Sequence, residues 1–229
     1  MKNKQLLNKI LLSDNVVEKF YNNFNNNPEF KAWLDEVIPE VQACENQQQN
    51  NPWHKYNVLK HILVSVQTMN NQTTNLDSQT RKMLAYVMFL HDIGKPEKHI
   101  QRMKQGKLID SFFNHNIASE KIAKRTLPQL DFTEDEIKII CKLIYKHDVF
   151  INIKEYPSQN PHYRILTPKV LQQEIEDLNS VGNGNLLMKY LIMVGRADNL
   201  AQNEQMTTEP LHLLETIDHM LNNSSQKQL

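Results

Sequence analysis

Five glycines in 229 residues are few, and that scarcity narrows the fold before any motif is read. Tight hairpins and Gly-rich phosphate loops both draw on residues that take positive φ. A turn-rich all-β protein and a Gly-rich nucleotide loop are therefore disfavoured. Helical signals are abundant instead. Asn27-Pro28 sets a Pro at a first helical turn, and Thr167-Pro168 pairs an N-cap with a Pro at the next position. Thr133-Glu134-Asp135-Glu136 is a capping box before an apolar run. Leu84, Val87, Met88 and His91 recur at i, i+3, i+4 and i+7. Ile137, Ile140, Cys141 and Ile144 repeat that template, and Leu187, Tyr190, Leu191, Val194 and Asp198 follow it too. The pattern predicts an all-α helical bundle, with helices near 4–24, 28–45, 55–70, 79–91, 110–126, 134–147, 168–178, 185–203 and 210–221.

Length and charge set further bounds. A chain of 229 residues fits one domain with an ample core. Its 26 Lys+Arg balance 26 Asp+Glu. The whole-chain basic field of a protein that coats long duplexes is missing, which leaves room for a local basic patch only. No apolar run approaches the roughly 18–20 residues of a membrane span. The start, Met1-Lys2-Asn3-Lys4-Gln5 running into Leu6-Leu7-Asn8, lacks a long apolar stretch and a small-residue cleavage site, so no signal peptide is expected. Cys44 and Cys141 are too few and too isolated for a disulfide scaffold or a Cys-based zinc site. They read as reduced thiols of a cytoplasmic protein, with Cys141 in the core. The Asn- and Gln-rich runs 21–27 and 46–51 read as polar loops and linkers. These boundaries divide the chain into an N-terminal helix with its linker over 1–27, a domain over 28–221, and a frayed tail over 222–229. There is no internal repeat, and no sequence feature specifies an oligomeric state.

The informative residues are the polar ones on apolar stripes. His61 follows Val58 by three, His91 closes the 84–88 stripe with Asp92 directly after it, His147 lies three beyond Ile144, and Asp198 lies four beyond Val194. A carboxylate on a buried face needs a partner or a metal. Imidazole and carboxylate are natural ligands of Zn, Mn, Fe or Ni, and a helical bundle can gather such residues in its core. Singly, each has an ordinary explanation. A His at an apolar edge is most often a satisfied boundary residue, a His-Asp dipeptide is common, and Asp198 can pair with Arg196.

Together, His61, His91-Asp92 and Asp198 resemble the H…HD…D signature of the HD superfamily of metal-dependent phosphohydrolases. Phe89-Leu90-His91-Asp92-Ile93-Gly94-Lys95-Pro96 resembles that family's HD helix and its exit. The segments Ile38–Val41, Asn51–His54 and Asn57–His61 resemble the lead-in of the HD region of bacterial tRNA nucleotidyltransferases. Phe113–Glu120 is similar to that region's F-x-G-H-E-x-x-G-A segment, and Arg196–Asn203 to its R-A-D-x-x-A-x-N segment. The resemblance runs from about residue 30 to 205 and identifies 28–221 as an HD domain. Two departures stand out: the family's Gly-His-Glu is Asn114-His115-Asn116, and the Asp often found four residues before the first metal His is Asn57. No nucleotidyltransferase head with its Gly-Ser loop and Asp-x-Asp pair precedes the region, so the chain is not expected to add CCA. Lys95-Pro96-Glu97 stands where guanosine-tetraphosphate hydrolases carry Glu-Asp. No Gly-Tyr-Pro follows for the cyclic-di-GMP branch, and the exit differs from the His-rich one of dNTP triphosphohydrolases.

The resemblance implies that His61, His91, Asp92 and Asp198 bind a divalent metal (Mn, Fe, Ni, Co or Zn, with Mg admitted). It implies a metal-activated water acting on a nucleotide or a 2′,3′-cyclic phosphate, including an RNA end. One ion or two are both open. His115 and His147 either complete a second site with Asp92 bridging or lie near the phosphate, one as general acid. Lys95 and Arg196 are candidates for phosphate contact. Their plainer alternatives are a solvated Lys and an Arg paired with Asp198. His54, seven before His61, is a candidate for the pocket rim, or else packs with Trp53. His99, His162, His212 and His219 match nothing. The basic run Lys98–Lys107 reads as a lid, a phosphate-attracting rim or a solvated loop. The reading from another class is a non-catalytic HD module that binds RNA or a nucleotide, favoured by the changes at 57 and 116 and opposed by the complete ligand set.

Overall fold

Many helix starts in this chain are written by side chains that accept from the first free N–H groups. The computed structural model describes residues 2–226. The helices among them are α1 (Lys2–Leu11), α2 (Val16–Asn26), α3 (Pro28–Val37), α4 (Glu40–Asn46), α5 (Val58–Gln72), α6 (Ser78–Leu90), α7 (His115–Thr126), α8 (Glu134–Lys146), α9 (Pro168–Leu178), α10 (Gly184–Leu200) and α11 (Thr208–Gln226). Asn27 caps α3, Asn57 α5, Asp77 α6, Thr167 α9 and Asn183 α10. Thr133 and Glu136 form the expected capping box on α8. The all-α expectation holds. Among the described residues strands are confined to an antiparallel hairpin, β1 (Ile100–Lys104) with β2 (Lys107–Ser111), and a short parallel pair, β3 (Ile153–Lys154) with β4 (Arg164–Ile165). No helix among the described residues is long and apolar enough to cross a membrane.

Several boundaries differ from the sequence reading, each for a local reason. The helix expected over 4–24 is two. Ser13 Oγ closes the end of α1 on Ile10 O at 2.8 Å, because short polar side chains offer the backbone a turn in place of a helix. The Asn-rich run 21–27 is not a loop: residues 21–26 complete α2, with Asn23 Nδ2 bonding back to Lys19 O at 2.8 Å. The helix over 28–45 breaks at Ile38-Pro39, since Pro lacks the N–H and pushes its predecessor out of helical φ/ψ. Residues 110–114 are not helical. Asn114 sits at φ 61°, which a right-handed helix cannot pass through. The hairpin went unread because its turn, Gln105-Gly106, takes positive φ at both positions, and only the Gly advertises it. The tail from Asn222 is helical as far as Gln226, and residues 227–229 lie outside the described residues.

One continuous core joins α1 and α2 to α5, α6, α8 and α10. Phe20 of α2 is fully buried, with its ring 5.8 Å from Phe24, 6.1 Å from Phe30 and 5.9 Å from Phe89. Residues 2–26 thus share their core with the helix that carries His91. Beyond α6, Gly94 brings the chain so close to α7 that a Cβ there would lie 2.5 Å from Ser119 N. Gly94 N donates to Ser119 Oγ at 2.9 Å. On the far side, Glu174 of α9 is buried between Lys146 Nζ (2.5 Å) and Arg164 Nη1 (2.7 Å).

Phe20→Ala is expected to cost about 3–5 kcal/mol and to lower a single urea transition. A separate early transition would mean that the first two helices fold apart. Burial pushes the Glu174 carboxyl up, but Lys146 and Arg164 outweigh it and hold it below the ordinary range. A depressed folded value gives stability that is present above the unfolded value and lost as pH falls through the folded one. Glu174→Gln should therefore lower stability at pH 7 and flatten its acid-side decline, measured by urea midpoints between pH 3 and 7.

Candidate metal centre

Three helix ends deliver the central residues. His61 is in the first turn of α5, His91 is the C-cap of α6 with Asp92 directly after it, and Asp198 is in the last turn of α10. All four are buried. Asp198 Oδ1 lies 2.9 Å from His61 Nε2 and 3.5 Å from His91 Nε2. Asp92 Oδ2 lies 3.2 and 3.3 Å from the same two nitrogens. One atom from each residue falls within 4.8 Å of all the others. The imidazoles are oriented from behind. His91 Nδ1 donates to Met88 O at 2.7 Å, and His61 Nδ1 faces Ala201 O at 3.5 Å. Occupying Nδ1 leaves the Nε2 lone pair for a metal, as a backbone carbonyl does behind metal-ligating histidines.

A second cluster shares Asp92. Its other oxygen, Oδ1, lies 3.0 Å from His115 Nε2 and 3.6 Å from His147 Nε2. His115 Nδ1 donates to Phe112 O at 2.8 Å and His147 Nδ1 to Ile144 O at 2.7 Å. Their Nε2 atoms are only 3.1 Å apart. Two neutral rings so arranged point lone pairs at each other, which a shared proton or a cation must relieve. Asp148 adds oxygens 3.3 Å from His115 Nε2 and 3.4 Å from His147 Nε2.

The electrostatics follow from packing two carboxylates among imidazoles. Burial pushes Asp92 up, but His91 and Lys95 hold it well below the carboxylate range; His61 and His91 do the same for Asp198. Burial opposes charge on His91, yet Asp92 and Asp198 carry it up to about 10. Burial also opposes charge on His147, and Asp148 with Asp92 raises it nonetheless. Even so, His61 Nε2 and His91 Nε2 are buried without a well-formed hydrogen bond. Buried polar atoms without partners are costly. A divalent cation shared with Asp92 and Asp198 satisfies both, and a nitrogen–oxygen donor set suits one. These residues fit a metal ion.

The rim is less open than the sequence suggested. Lys95 is buried rather than a solvated loop residue, and its ammonium meets Asp92 Oδ2 at 2.5 Å, Gln49 Oε1 at 2.9 Å and His54 Nε2 at 3.2 Å. Three donors have three partners, so a substrate oxygen must displace one. His54 does reach the site, its ring 5.2 Å from that of His61. It reaches from the loop before α5, however, not from a preceding helical turn, and its Nδ1 pairs with Asn51 Oδ1 at 2.9 Å. Burial and Lys95 hold His54 well below its ordinary value, so it is uncharged. Arg196 is a correction. Two residues before Asp198 it is turned about 200° around α10 and lines a separate cleft with Gln72, Lys189 and Asp218. Neither an ion pair with Asp198 nor a place beside the cluster results.

Asp148, Gln49 and Asn51 were not anticipated. Asp148 carried a signal all the same: His147-Asp148 repeats the His91-Asp92 dipeptide at a second helix end. Compared with known families, the chain matches no family model.

Protein stripped with EDTA should gain thermal stability on adding Mn, Ni or Zn, by about 2.7 kcal/mol at a hundredfold excess over Kd. His91→Ala should abolish most of that gain. Elemental analysis should find two ions per chain, falling to one in the His115→Ala/His147→Ala variant. Affinity should weaken as pH falls, because protons compete for the imidazoles.

Proposed function

We propose that the chain is a metal-dependent phosphohydrolase of the HD type, cleaving a phosphoester on a nucleotide or at a 2′,3′-cyclic phosphate end. The observation that carries the reading is Asp92, a buried carboxylate whose two oxygens face two different pairs of imidazoles. In this reading His61, His91, Asp92 and Asp198 hold one divalent ion. Asp92, His115 and His147 hold a second, with Asp148 as a further oxygen donor. Ions so held supply positive charge that polarises a phosphoryl oxygen and acidifies water.

The chain's own residues do the remaining work. The carbonyls of Met88, Phe112 and Ile144 fix the ring orientations, so little reorganisation is left for the reaction itself. Lys95 exchanges its bond to His54 for a phosphate oxygen and keeps those to Asp92 and Gln49. Neutral His54 is the partner most cheaply given up, since Asp92 offers charge and His54 does not. The buried walls exclude bulk water, which strengthens each of these interactions.

A non-catalytic module is not favoured. Asn57 caps α5 through Lys60 N at 2.8 Å and donates to Glu45 O at 2.8 Å. Asn116 donates to Tyr145 O at 2.7 Å. Both departures have local structural work and leave the ligand cluster intact.

Bis-p-nitrophenyl phosphate and 2′,3′-cAMP should be turned over with at least one of Mn, Co, Ni, Mg and Zn. Asp92→Asn should lower kcat at least about 10³-fold and Lys95→Met about 10²-fold. Absence of turnover with every metal, or full activity in Asp92→Asn, would overturn the reading.

A further inference from the structure

The β1–β2 hairpin is more exposed and more cationic than a structural element needs to be. Its register pairs Arg102 with Ile109 and Lys104 with Lys107. Residues two apart on a strand, and residues directly opposite across the ladder, share a face. Arg102, Lys104 and Lys107 therefore lie on one face. All three are exposed, and none has an acidic partner among the described residues. Lys104 and Lys107 are directly opposed like charges, which destabilises a hairpin by itself. Two aromatic rings lie against these cations. Arg102 stands 4.8 Å over Phe113, whose side chain is 56% exposed, and Lys104 stands 4.5 Å over Trp53.

This surface is fixed to the candidate centre. Buried Asp110 of β2 accepts from Asn50 N at 2.7 Å, Asn50 Nδ2 at 2.9 Å and His99 Nε2 at 2.8 Å. The same 49–54 loop contributes Gln49 and His54 to Lys95. Phe113 is two residues from His115. The hairpin and the centre are thus joined by bonded rim, with no free linker between them.

We propose that this face is the docking track of a single-stranded polynucleotide whose end lies in the metal centre. Its phosphates meet Arg102, Lys104 and Lys107, and its bases stack on Phe113 and Trp53. Cations that track a backbone, interleaved with rings that accept any base, are the chemistry of single-strand binding. A duplex keeps its bases stacked inside and cannot use the rings. A zero overall charge with three cations on one face that have no acidic partner among the described residues suits a short local contact. The inference rests on the phosphohydrolase reading for the position of the scissile ester, whereas binding at the hairpin is measured without metal.

Fluorescence anisotropy in EDTA with fluorescein-labelled U12, T12 and a 12-base-pair duplex tests it. The parent chain should bind both single strands more tightly than the duplex, and U12 against T12 reads out the sugar preference. The Arg102→Gln/Lys104→Gln/Lys107→Gln variant should bind at least tenfold more weakly. Its salt dependence, d log K/d log[salt], should be shallower by about 2, at roughly 0.7 per lost phosphate contact on a single strand. Phe113→Ala alone should weaken binding about tenfold, while Lys189→Gln, in the separate cleft, should bind like the parent. Thermal melts check that each variant is folded. Failure of the parent to bind either strand, preference for the duplex, or an unchanged slope in the triple variant would each overturn the proposal. Strand binding without turnover of bis-p-nitrophenyl phosphate supports the hairpin inference while sinking the phosphohydrolase reading. Turnover without strand binding does the reverse.

Discussion

A carboxylate buried away from the surface must be surrounded by charge or by donors, and Asp92 is where this fold meets that demand. The uncompensated cost of burying such an ion is several kcal/mol. Its neighbours come from α5, α7, α8 and the turn after α6, with Asp198 of α10 beside them. Each of those elements must therefore end or begin at the same point. A well-packed apolar substitute would serve stability at least as well, so stability alone gives no reason for two carboxylates and four imidazoles here.

Helix ends make the arrangement economical. His91 and His147 are the C-caps of α6 and α8, and each ring donates from Nδ1 to the carbonyl three residues back. Carbonyls in the last helical turn lack the usual N–H four residues on, so they can accept from the ring and aim it; Ile144 O also accepts from His147 N. The helix macrodipole also favours positive charge at that end, beside the carboxylates that pull both histidines upward. The His-Asp dipeptide works because the helix stops between its two members. The His looks back along the axis, and Asp92 turns away to serve both clusters.

Much of this was legible in the sequence, and the reason is periodicity. His61, His91, His147 and Asp198 stood on apolar stripes, and a polar residue there must be explained. Asp92 followed from its place directly after His91, and His115 came through the resemblance of its surrounding motif. Arg196 misled because proximity in sequence to Asp198 says nothing about the side of a helix; its stripe runs through Lys189, Ile192 and Met193. Gln49 and Asn51 sit in a segment without regular structure whose path is set by Asp110, 60 residues away from Asn50. No local pattern encodes such a pairing. The hairpin was hidden for a similar reason, since every residue of β1 is exposed and no alternation marks it.

Gly94 gives the centre its gauge. With no side chain of its own, it lets the backbone after Asp92 rest directly on α7, pinned through Ser119. The span between the carboxylate and His115 is then set by main chain against main chain. Enlarging residue 94 by one methyl group would push the turn after Asp92 off α7 and widen that gap.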